Sequence, residues 1–60
     1  MKFNVEIVEL ANRKNKMSWP KCEYVPNIGD TIQFEGRGLV VKEKTFEIVK
    51  GKIKIIRLEL

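Results

Sequence analysis

Apolar residues in this chain recur at every second position, and the parity of that alternation reverses inside one run after another. Phe3, Val5 and Ile7 alternate with Lys2, Asn4 and Glu6, the period of a half-buried strand. At Ile7-Val8 the parity changes, and Leu10 continues the even set. Leu39 and Val41 share one parity, Phe46 and Ile48 the other, with Lys42-Glu43-Lys44-Thr45 between them. Ile53 and Ile55 alternate inward, and Ile56, Leu58 and Leu60 follow on the opposite parity. A flat sheet buried on one side has no use for such reversals. They mark bulges, or strands that leave one packed layer for another, as in a small sheet that curls until it closes on itself. No segment shows a helical period. The expectation is an all-β fold of about five short strands, arranged as a small, partly open barrel. Its core candidates are Phe3, Val5, Ile7, Ile32, Phe34, Leu39, Val41, Phe46, Ile48, Ile53, Ile55 and Leu58.

The stretch from Val25 to Lys44 is where the sheet starts and turns. A turn on Pro26, Asn27 and Gly29 leads into Thr31-Ile32-Gln33-Phe34-Glu35, with Ile32 and Phe34 inward. Gly36-Arg37-Gly38 reads as the next turn, and Leu39-Val40-Val41 as the returning strand of a hairpin. Lys50-Gly51 is a further turn, in which Gly51 supplies a positive φ. Upstream, Ala11 to Ser18 carries two Asn and three basic residues without periodicity, and reads as an exposed loop. Trp19 precedes Pro20 and is pushed toward extended geometry. Lys21 to Val25 then reads as a short edge strand.

Sixty residues make one domain, spanning 1–60. A chain this small buries only roughly 60% of the surface it exposes when unfolded, so small domains often add a disulfide or a metal. This one has a single Cys and no His, which rules out an internal disulfide and leaves no Cys/His ligand set for zinc. No metal or cofactor is expected. Asn4 and Glu6 interrupt the first apolar residues, so no leader peptide is expected. No apolar run approaches the roughly 20 residues that span a bilayer. A lone thiol fits a reducing cytoplasm. Net charge is +4, from 12 basic and 8 acidic residues, a balance that favours encounters with anionic partners without defining a mechanism.

Pro26-Asn27-Ile28-Gly29-Asp30, followed by Thr31-Ile32, Gly36 and Leu39-Val40-Val41, resembles the small SH3-like β-barrel proteins found among bacterial and prophage open reading frames. Their hairpin often opens with a Pro-x-x-Gly-Asp turn. The resemblance implies the fold, but one fold hosts many functions. KOW-type modules look similar at Gly29-Asp30 and Gly36-Arg37-Gly38, yet the longer Lys/Gly-rich insert through which they meet RNA is missing here. SH3 domains that bind Pro-rich peptides use an aromatic groove and an acidic loop. The loop here is basic, at Arg13, Lys14 and Lys16, and the paired-tyrosine opening strand is absent.

Catalysis needs a nucleophile with a base, a metal or paired acids. Without His no His-bearing triad can be written, so the chain is expected to be noncatalytic. Cys22, between Lys21 and Glu23, reads as packing, and Asp30 as a hydrogen-bond acceptor in its turn. Two binding readings remain. Arg13, Lys14, Lys16, Trp19, Lys21 and Tyr24 form a basic and aromatic segment, with Lys50, Lys52 and Lys54 as a second basic row. These residues suit nucleic acid, through phosphate contacts and stacking. Alternatively Met17, Trp19, Tyr24 and Val25 form an apolar patch that engages a protein partner or a second copy of the chain. The protein-interaction reading is preferred.

Overall fold

The computed structural model describes residues 2–60; Met1, with which the first expected strand begins, lies outside the described residues. Its strands are β1 (Phe3–Glu9), β2 (Asn12–Cys22), β3 (Thr31–Phe34), β4 (Arg37–Val40), β5 (Glu43–Val49) and β6 (Lys52–Glu59), with no helix among the described residues. The fold is all-β as expected, but the five-stranded, partly open barrel gives way to six strands in two sheets that do not close. One sheet runs β2-β1-β6-β5 and the other is the β3-β4 hairpin. β1 and β6 pair in parallel at the centre, and β2 and β5 each add antiparallel on the outside. β2 and β5 therefore remain edges, and the hairpin packs face-on against the sheet.

The core fills the space between the two layers. Val5 and Ile7 of β1 lie opposite Ile56 and Leu58 of β6, and these four pack with Cys22, Phe34, Val41 and Leu60. Phe3, Val25, Ile32 and Leu39 flank this cluster half-buried. Fully burying an aliphatic side chain is worth about 1.5–3 kcal/mol, so this one layer is the main stabilising element. Several core assignments need correction. Phe46, Ile48 and Ile53 are exposed at 49%, 62% and 43%, and Ile55 is only half-buried. Leu58 is in the core as expected and Ile56 and Leu60 join it, whereas Phe46, Ile48 and Ile53, on the same face, stay exposed because the four-residue strands β3 and β4 are too short to roof the whole sheet.

The parity reversals have local causes. In β6 the register against β5 shifts between Glu47 and Ile48, whose partners are Ile55 and Ile53, leaving Lys54 as an extra residue. At the end of β1 the register shifts between Val8 and Glu9, and both residues are buried. Between β4 and β5, Val41 and Lys42 leave one sheet for the other. Val41 bonds back to Asp30 (N–H to O, 2.9 Å), while the Lys42 N–H reaches Glu59 O (2.7 Å).

The Ala11–Ser18 loop is also corrected, since Asn12 to Ser18 belong to β2. An edge strand exposed on both faces needs no apolar period, so periodicity could not reveal it. Lys21 and Cys22 end that same strand, with Lys21 at φ 58° beside a register shift, and Glu23 to Val25 lie outside any strand. The second hairpin turn sits on Glu35-Gly36, one residue earlier than read, with Arg37 and Gly38 inside β4. Glu35 (φ 53°) and Gly36 (φ 79°) are both left-handed, as are Lys50 (53°) and Gly51 (76°), the two-residue turn geometry that matches strand twist.

Candidate functional site

Arg13, Lys14, Lys16, Trp19 and Lys21 all lie on β2, and Tyr24 just beyond it, every one exposed. The fold does not gather them into a pocket. It strings them along an open edge, with Arg13 and Lys21 up to about 26 Å apart at roughly 3.3 Å per strand residue. No acid occurs between Asn12 and Cys22. Arg13 reaches Glu59 at 3.6 Å, whereas Lys14, Lys16 and Lys21 make no ion pair among the described residues. Trp19 stands opposite Val5 and is 42% exposed, so it belongs to the surface. Beside it, Asn4, Glu6, Ser18, Pro20 and Ile55 line a concavity of about 290 Å³. The Tyr24 hydroxyl donates to Asp30 Oδ2 at 3.3 Å. Val25 packs against the core, so it leaves the apolar patch expected with Met17, Trp19 and Tyr24.

Of the second basic row, Lys50 and Lys52 lie at one end of the sheet, and Lys54 is the extra residue of the β6 bulge. The Lys50-Gly51 turn brings Lys52 beside Lys2, and with Phe3, Gly51 and Ile53 these line a shallow concavity of about 470 Å³. Lys21 borders the same end, because Cys22 pairs with Phe3. Glu23 answers this charge at 3.9 Å from Lys2.

At the opposite end, sequence reasoning missed a cluster. Register irregularity leaves Arg13 to Asn15 without partners in β1, and this excursion meets the tip of the β3-β4 hairpin. Glu9, Asn12, Lys14, Asn15, Glu35 and Arg37 line the open depression between them, about 480 Å³. Glu9 is 5% exposed and accepts hydrogen bonds from Arg37 Nη2 (2.6 Å) and Asn15 Nδ2 (2.9 Å). The Arg37 bond, then the Asn15 bond, hold the Glu9 carboxyl below its ordinary range against the opposing effect of burial. A carboxylate so partnered is a poor proton acceptor. Its effect is to pin the hairpin tip to the sheet. The sequence carries no signal for it, since Glu9 and Arg37 lie 28 residues apart.

The groups with reactive potential are engaged in structure. Cys22 is buried, and its thiol donates to the Tyr24 carbonyl at 2.7 Å. Asp30 Oδ2 accepts from the Asn27 N–H at 2.8 Å, the turn role read from the sequence. Among the described residues no group of three or more His, Cys, Asp or Glu side chains could hold a metal ion. Among the described residues no helix is long and apolar enough to cross a membrane. No protein-family model matches the chain, and neither a curated protein nor a solved structure matches it.

Proposed function

We propose that the protein is a noncatalytic interaction module whose β2 edge takes up an extended, acidic segment of a partner protein as an added strand. The observation that carries this reading is the edge itself. It is an 11-residue strand with no neighbour on its outer side, carrying four cations and no acid. Backbone hydrogen bonds supply affinity in strand addition, and side chains beside the new strand supply selectivity. Pro20 lacks an N–H and Arg13 to Asn15 leave the ladder, which confines the docking segment to Lys16 through Trp19. Lys14 and Lys16 attract acidic side chains, and the concavity beside Trp19 accepts one apolar side chain. The SH3-like resemblance of Pro26 to Val41 is in keeping with such a role, and that hairpin then serves as scaffold. The buried, unpaired Cys22 fits a reducing compartment such as the cytoplasm.

The test is a titration of the chain with an extended Glu-rich peptide and with the same peptide carrying Lys for Glu, read by Trp19 fluorescence and backbone amide shifts. Shifts confined to β2 with the Glu peptide, and abolished by K14E/K16E, support the proposal. Indifference to peptide charge, or shifts elsewhere, would refute it. A second reading, nucleic acid, draws on Lys2, Lys21, Lys50 and Lys52 at one end of the sheet, with Trp19 and Tyr24 exposed on and just beyond β2. Binding of single-stranded DNA or RNA with a steep salt dependence would favour that reading instead.

A further inference from the structure

The other edge strand has the opposite character. β5 carries Phe46, Ile48 and Val49, all 44% to 62% exposed, and Ile53 of β6 beside Ile48 is 43% exposed. We propose that a second copy of this chain covers this edge, by antiparallel β5-β5 pairing centred on Phe46. The backbone geometry sets that centre. Val49 and Lys52 flank a two-residue turn and so exchange both of their hydrogen bonds. Counting back along β5 turns the N–H and C=O groups of Lys44, Phe46 and Ile48 outward. A two-fold axis at Phe46 then matches those residues with their own counterparts, forming about six hydrogen bonds, two for each pair.

Charge selects the same arrangement. Phe46 faces the partner's Phe46, Lys44 the partner's Ile48, and Thr45 the partner's Glu47. Within β5 no like charges meet. The β2 edge does worse when paired with itself. Centred on Asn15 it sets Lys14 against the partner's Lys16, and centred on Met17 it sets Arg13 against the partner's Lys21. Like charges directly opposite one another destabilise a strand pair. Lys44 already lies over the Phe46 ring, 5.6 Å from its centre, which holds both side chains along the shared seam. The patch is small against the roughly 800 Å² per partner of a standard interface, so the dimer forms in a concentration-dependent equilibrium. Its eight-stranded sheet leaves a basic β2 edge at each outer margin, free for the role proposed above.

Sedimentation equilibrium of the full chain over a wide concentration range tests this. The wild type is expected to pass from monomer to dimer. I48K places Lys against the partner's Lys44 twice over and weakens the dimer about tenfold, whereas I48E places an acid there and preserves it. K44E/I48K, which restores opposite charges, recovers the dimer. Far-UV circular dichroism confirms that each variant is folded, as the 62% exposure of Ile48 leads one to expect. A wild type that stays monomeric at every concentration would overturn the proposal. So would equal weakening by I48K and I48E, because it would mean that Ile48 does not face the partner's Lys44.

Discussion

Leu58 and Ile53 sit five residues apart on β6, and their truncation to Ala separates the observed packing from its alternative. Leu58 is fully buried, opposite Ile7 on one side and Lys44 on the other. Leu58→Ala loses the transfer energy of its buried methylenes, at about 0.8 kcal/mol each, and leaves a cavity that the rigid sheet cannot collapse. The combined cost is about 3–4 kcal/mol. A chain of this length has about 3–9 kcal/mol of stability in total, so the variant stands close to unfolding at room temperature. Ile53→Ala removes a side chain already 43% exposed and leaves no enclosed cavity, which reduces the cost to about 1 kcal/mol. Urea unfolding followed by Trp19 fluorescence, at concentrations low enough to keep the chain monomeric, reads both. With a slope of about 1 kcal/mol per molar urea, the midpoint falls by about 3–4 M for Leu58→Ala and about 1 M for Ile53→Ala. Ile53, Ile56 and Leu58 pair with Ile48, Phe46 and Lys44 and so share one face of the sheet; equal losses, or a larger loss at Ile53, would show that the β3-β4 hairpin covers the turn end of β6 as well.

The Glu9 pin makes stability depend on pH with a defined sign. Its carboxyl is held below the ordinary carboxylate range in the folded state, so its contribution is full above that range. The contribution is lost as pH falls through the lowered folded value. Thermal melts from pH 7 to pH 2 should show this acid-side loss in the wild type and a shallower one in Glu9→Gln. An unchanged acid limb in the variant would exclude the Arg37 pin as its cause. At the β5-β6 turn, Lys50 holds φ 53° without the tolerance of Asn for that conformation. Lys50→Asn should stabilise by about 0.5 kcal/mol, while Gly51→Ala, at φ 76° with open space around it, should cost about 1–2 kcal/mol in urea midpoint measurements.

What the amino-acid order determined by itself is the local structure. Period-two alternation made Phe3 to Ile7 and Ile32 to Phe34 strands, Gly51 placed a two-residue turn, and Asp30 met its acceptor role in the Asn27 turn. Even the parity reversals were real, because an extra residue such as Lys54 changes alternation wherever it falls. Which of these residues are covered was a different matter. Ile53 is as apolar as Ile56 and Leu58 and shares their face across the Lys54 bulge, and only the placement of the β3-β4 hairpin over one part of the sheet left it exposed. The reach of β2 was equally hidden. An edge strand bathed on both faces is held by backbone hydrogen bonds to β1, which leave no mark on side-chain sequence. The parallel pairing of β1 with β6 joins the two ends of the chain, and the Glu9–Arg37 contact spans most of its middle. Such contacts depend on how already formed strands stack, so they, and with them the open edges β2 and β5, were decided only by the tertiary structure.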